Sequence, residues 1–489
     1  MTNQNIATIP QSSHPRALWV LSIIYTTFTF AFGVQMTNLL VRLNTYYGLS
    51  ETASFNLFAA FMSLAYTLPV LGGYLCDRFG FRNSAVIGLL FSAIGMLTLA
   101  LPGFHTMMLG LSLFLVGNAL CTPAIWSLIG MLYHKDDHKR ESGSTLFYVV
   151  FNIGFFLSDI SSGFVLQGIG KIGLLIYALP LFAGALIMLI IRNKFSTFKE
   201  KEAGCRLPRL HNKRNVTVLI ITSIILTPIC LILLNYVLIN SILLWLFLVF
   251  SLLYILFISF RLFKNPDQKR IKEGKRMFAF FILCLIGFSY FIIFNSEFGL
   301  LPLYAEHNLN RVVAGITFPS GSLTSLDPLY CVLLGFIYSA MWDKLSQMNK
   351  NPALATKFSY GLILASIGYL LLALLIFTNI SSTYSILWLL LIFFFFVSGE
   401  LMVFPIGIAM AGKLAAEGKE GLLMGVWNLI IGASAVFVGF IASFTITPKG
   451  ATLTQSNTQF MQVFLSIGLI VLIVGVVMFA IRKLINRLI

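Results

Sequence analysis

Four acids stand inside otherwise apolar stretches of the chain: Asp159, Glu297, Asp327 and Glu400. A carboxylate in hydrocarbon is costly, so each must hold two helices together, bind a cation or carry a proton. Glu400 lies near the middle of its stretch, roughly 24 Å from the outer end at 1.5 Å per residue. A carboxylate there that meets water first from one side and then from the other suits proton coupling. Glu297 and Asp327 stand nearer the outer ends of their stretches, where solvation is an alternative to a transport role. Asp159 shares a helical face with Tyr148 and Asn152, four and seven residues apart in register. No Lys or Arg falls deep inside any apolar stretch. The histidines (His14, His105, His134, His138, His211, His307) fall in the tail, loops or helix ends, which leaves no histidine relay. Cys76, Cys121, Cys205, Cys230, Cys284 and Cys331 have no CxxC spacing, so neither a disulfide framework nor a metal site is expected.

These acids must be positioned by membrane helices. Of 489 residues, 58% are hydrophobic and only 10% charged, against about a quarter charged in soluble chains. That composition excludes a soluble enzyme, a disordered scaffold or a nucleic-acid binder. At about 20 apolar residues per span, fourteen helices are expected, one of them over 277–303. Alternating strands of an outer-membrane barrel are missing, and the first apolar stretch lacks a signal-peptide cleavage site.

The formal net charge of +16 is expected to be topology. Only Arg42, Lys171, Arg311 and Lys449 fall on the outer side; the other basic residues fall on one face, which places both termini in the cytoplasm of a multi-pass plasma (bacterial inner) membrane protein. Two basic linkers flank an almost uncharged helix pair. The plan is therefore a tail over 1–16, a six-helix bundle over 17–192, basic linkers with an inserted pair over 193–276, a second bundle over 277–485, and a tail over 486–489. The fold class is all-α integral membrane.

Between the second and third helices, Gly73, Asp77 and Arg78 stand in GGYLCDRFGFR. Asp343 and Lys344 repeat the small-x-x-x-Asp-basic pattern at the equivalent place in the second half. One match is an ordinary charged loop; two indicate a duplicated transporter whose halves rock against each other.

This motif is similar to the loop signature of the major facilitator superfamily. More of the chain resembles its proton-dependent oligopeptide transporter family: GNAL into Pro123, Thr145 to Gly154 (TLFYVVFNIG), Tyr304 to Asn308, SLDPL around Asp327, Asn351-Pro352 with Lys357-Phe358, Glu400 through Pro405 to Lys413, and GLLMGVW ending at Trp427. The resemblance implies two six-helix bundles with the extra pair found in bacterial members, alternating access, no cofactor and a monomer. It implies that Tyr66, Tyr148, Asn152 and Glu400 line a peptide site, and that Glu400 with the helix-8 position, here Asp327, holds the peptide's amino terminus. Trp427 belongs to the same wall. Glu297, Asp327, Asp159 and Glu400 are the proton-coupling candidates.

The chain departs from the family at the carboxylate clamp. Where ExxERFxYYG is expected on helix 1 the sequence reads Ile24 to Gly33 (IYTTFTFAFG), the later Arg position is Gln35, and the helix-4 Lys position is Thr122. An acidic cavity without bases repels a bare carboxylate, by about 4 kcal/mol at 4 Å and an effective dielectric of 20. The expected function is proton-coupled uptake of a peptide or peptide-like molecule that is neutral, cationic or masked at its C-terminus. An exporter of amphipathic cations and a transport-inactive sensor remain open. An enzyme is not expected, since no nucleophile–base pair or phosphate loop is present. The basic linkers meet lipid headgroups rather than nucleic acid.

Overall fold

The computed structural model describes residues 14–489 apart from 134–138, 193, 195–212, 299, 314, 318, 319 and 446–451. Most of the first tail and linker, with His134, His138, Cys205, His211 and Lys449, therefore lie outside the described residues.

Among the described residues, 14 helices are long and apolar enough to cross a membrane. The first bundle comprises α1 (Arg16–Thr45), α2 (Glu51–Phe79), α3 (Phe81–Ala100), α4 (Phe104–Met131), α5 (Lys139–Ile169) and α6 (Leu175–Ile191). The inserted pair is α7 (Lys213–Leu233) and α8 (Val237–Phe263). The second bundle is α9 (Gln268–Phe298), α11 (Leu326–Gln347), α12 (Leu354–Thr378), α13 (Trp388–Leu414), α14 (Glu420–Ala442) and α15 (Leu453–Asn486). The ninth helix begins at Gln268, ahead of its expected start, and is described to Phe298; a short α10 (Leu300–Asn308) leads into a connection that holds one antiparallel strand pair and a strand pairing with residues 384–385.

Local sequence explains several ends. Ser50 accepts from the Ala53 amide at 3.3 Å and starts α2, while Thr452 and Gln455 form a reciprocal capping box on α15. Gly80, at φ 102°, is the single residue between α2 and α3, a conformation that excludes most side chains.

The bundles meet along α2 against α14 and α5 against α11, with α13 reaching α4 and α5. The Gly72-Gly73 pair makes this possible. A Cβ on Gly72 would lie 1.7 Å from the Ala119 carbonyl oxygen of α4, and one on Gly73 would lie 2.2 Å from that of Gly421 on α14. One glycine seats α2 in its own bundle, and the next seats it against the other. The inserted helices separate: α7 leans on α4, while α8 lies against α2, α9 and α14. Their outer faces expose Ile224, Leu238, Phe250 and Phe257, an apolar surface that lipid covers.

Candidate functional site

Glu400 on α13 is fully buried between the bundles. Tyr148 on α5 donates its hydroxyl hydrogen to Glu400 Oε1, a bond from the first bundle to the second, and the Asp327 carboxyl lies within hydrogen-bond reach of the same acid. Asp327, in the first turn of α11, is 5% exposed, and Cys331 one turn later donates its thiol hydrogen to Asp327 Oδ1 at 3.5 Å. Ligand atoms of Asp327, Cys331 and Glu400 all lie within 4.8 Å of one another. Glu297 on α9 is 3% exposed, has an unpartnered Oε2 and feels the Asp327 charge. Of the two readings of Glu297 and Asp327, solvation does not hold, since α9 and α11 turn both inward. Among the described residues, no Lys, Arg or His forms an ion pair with these three acids. Asp159 is half-buried on α5.

Aromatic rings enclose the acids. Tyr148 lies 4.7 Å, centroid to centroid, from both Phe151 and Phe404, and Phe404 lies 5.6 Å from Phe291 and Phe294. Trp427 is fully buried 5.2 Å from Phe291, its indole nitrogen unpartnered. Tyr66 is half-buried on α2, where its Cβ faces Gly432 of α14. Asn152, placed by the sequence on the face of Tyr148, spends its amide on the Tyr148 carbonyl at 3.0 Å.

An aromatic stack occupies the place of the missing clamp. Phe28, at the family's Arg position, stacks on Tyr25 at 5.6 Å and on Phe114 at 5.6 Å. Thr122 accepts from the Tyr25 hydroxyl at 3.2 Å and donates to Asn118 Oδ1 at 2.8 Å. Gln35 donates to Met96 Sδ at 3.1 Å and accepts from Arg42. Arg42, expected just beyond the end of the first helix, lies inside it and is buried. Helix α1 continues to Thr45, so Arg42 lies two turns beyond Gln35 on the same face and is 4% exposed.

At the basic end the bundles are tied together. Asp77 accepts from the amides of Gly421 and Leu422 at 2.8 and 2.9 Å, capping α14 from α2. The Glu141 carboxylate of α5 pairs with Lys357 of α12 and accepts from Asn351 at 3.1 Å, while Lys357 sits 4.1 Å from the Trp342 ring. Arg140 donates to the Ala409 carbonyl at 3.1 Å, and Ser339 to that of Ser142 at 3.3 Å. Of the repeated loop motif only the first copy makes a cap. Asp343 faces His14 at 3.7 Å, Lys344 is exposed, and Arg78 reaches Tyr74 on its own helix at 3.2 Å.

Reasoning from sequence missed Cys331, Glu141, Arg140 and Lys357. The i, i+4 spacing of Asp327 and Cys331 was a usable signal. Nothing local joins Glu141 to Lys357.

Two six-helix bundles facing each other across a central seam define a transporter of the major facilitator class. Within that class the chain belongs to the POT family, whose profile (PTR2: POT family) matches residues 82–461. It is a transporter and not an enzyme. It is 27% identical to Dipeptide and tripeptide permease A of Yersinia pestis over 472 residues, covering 95% of this chain and 91% of that protein. It is 26% identical to the uncharacterized transporter YclF of Bacillus subtilis (strain 168), covering 99% and 97%. Among solved structures it is similar to a POT family transporter in complex with 5-aminolevulinic acid (TM-score 0.70, 22% identity, 98% of this chain and 99% of that one). It also resembles a bacterial homologue of the human drug peptide transporters PepT1 and PepT2 (TM-score 0.72, 16% identity, 97% and 99%).

Proposed function

We propose that this protein takes up a peptide or peptide-like molecule by proton-coupled alternating access, and that its site favours substrates carrying an amino group but no free carboxylate. Glu400 and Asp327 face the amino group, and Tyr148 orients Glu400 from the opposite bundle. Glu297 and Asp159 complete a set of acids through which protons pass. The observation that carries this reading is the company of Glu400: two further buried acids, a thiol and aromatic rings, with Phe28 and Thr122 where the resemblance leads one to expect an Arg and a Lys.

The basic end is cytoplasmic under this reading, both termini lie inside the plasma (inner) membrane, and the chain works as a monomer. The 17–192 and 277–485 bundles are the rocking units. The ties of Asp77, Glu141 and Arg140 close the inner gate and must break before substrate is released inward. The names of the permease relatives support uptake over export. Proteoliposomes with an imposed proton gradient test the central residue. Glu400→Gln is expected to abolish uptake, and full gradient-driven uptake in that variant would overturn the proposal.

A further inference from the structure

We propose that Asp327, Cys331 and Glu400 form a binding site for a thiophilic divalent cation of the zinc class, in competition with the substrate's amino group. Asp327 and Cys331 stand four residues apart on α11 and present a carboxylate and a thiol on one helical face. Glu400 reaches them from α13, and the three ligand atoms are mutually within 4.8 Å. A metal at bonding distance draws such atoms together by a fraction of that span, since Zn–O and Zn–S distances are about 2.0–2.3 Å.

Two further observations point to a cation. Glu400 Oε2 is fully buried and meets no donor other than the neighbouring Asp327 carboxyl. Glu297, on a third helix and within electrostatic reach of Asp327, leaves a buried Oε2 unpartnered. Buried carboxylate oxygens are normally satisfied. Here their acceptor oxygens converge and, among the described residues, meet no basic ion-pair partner.

The donor set decides which cation fits. Two carboxylates and one thiolate suit zinc or cadmium, the Cys331 thiol releasing its proton to solvent as the metal binds, whereas magnesium and calcium require oxygen ligands alone. Three protein ligands leave one coordination position open, an arrangement suited to exchange with solvent or an incoming amine. Tyr148 donates to Glu400 from outside the triad and orients it, as outer partners of metal ligands do. The thiol sets this arrangement apart from a plain amine subsite.

Cadmium titration of the purified full-length protein in detergent, without substrate or gradient, tests the site through the ultraviolet cadmium–thiolate band. The wild type is expected to show the band. Cys331→Ser, which retains the other five cysteines, is expected to lose it, and magnesium is expected to give none. Glu400→Gln keeps the thiol and is expected to weaken cadmium binding at least about tenfold; it carries the test if Cys331→Ser does not fold. No band in the wild type, an undiminished band in Cys331→Ser, or unchanged affinity in Glu400→Gln would overturn the site. Because the measurement needs no transport, a negative result leaves the uptake proposal standing, and a failed uptake assay leaves the metal site standing.

Discussion

The Tyr148 hydroxyl on α5 donates to the Glu400 carboxylate on α13, joining the two bundles at an acid that is fully buried and mid-helix. The same carboxylate lies beside Asp327 and Cys331 of α11, so a single side chain reports to three helices. Any rocking of one bundle against the other must strain or break the tyrosine bond. This links the state of the gate to the state of the acid.

Tyr148→Phe removes the donor and keeps the ring against Phe151 and Phe404. A hydrogen bond to a charged group contributes about 1.5–3 kcal/mol, so initial uptake rates in proteoliposomes should fall roughly ten- to a hundredfold. The thermal midpoint should move little, because ring packing survives. Wild-type uptake would show that the bond is incidental.

Asp77→Ala removes the side-chain cap from the start of α14, a loss of about 1–2 kcal/mol. The bond crosses between bundles, so the loss should favour opening at the basic end. Spin-label distances across that end should broaden toward longer values, while spacing at the opposite end shortens or holds. An unchanged distribution would remove Asp77 from the gate. Gly73→Val should act in the same direction and more strongly, because its side chain meets the Gly421 backbone.

Lys357→Met removes the cation beside Glu141, which is partly exposed and keeps its bond from Asn351. Losing a hydrogen bond between charged groups costs about 1.5–3 kcal/mol, so the variant should melt below wild type. The double variant with Glu141→Gln should recover much of that loss, since neither charge is then left alone. Additive losses would mean that the two side chains are not coupled.

Phe28→Arg with Thr122→Lys restores both positions at which a carboxylate clamp is expected. In a folded double variant, uptake of free dipeptides should rise relative to their amides. Unchanged selectivity would place the determinant elsewhere.

The helices were legible because lipid imposes one rule on every span: some 20 apolar residues with few charges. The acids were legible for the same reason, since Glu400 and Asp159 stand out against that background. Their neighbours were harder to read. Glu297 and Asp327 could be solvated by depth alone, and only the rotation of α9 and α11 about their axes buries them. Arg42 fell one residue beyond the expected end of the first helix, because nothing in the sequence stops α1 before Thr45. The Glu141–Lys357 pair joins residues 216 apart, a relationship that neither spacing nor hydropathy encodes. The second copy of the loop motif misled in the opposite sense: Asp343 repeats the pattern of Asp77, yet it faces a tail histidine instead of capping a helix.

The most direct measurement compares gradient-driven uptake of one dipeptide with that of its C-terminal amide under identical conditions. A site with three buried acids and an aromatic stack in place of the clamp predicts preference for the amide by about tenfold or more, the equivalent of about 1.4 kcal/mol. Equal uptake, or preference for the free carboxylate, would contradict the account.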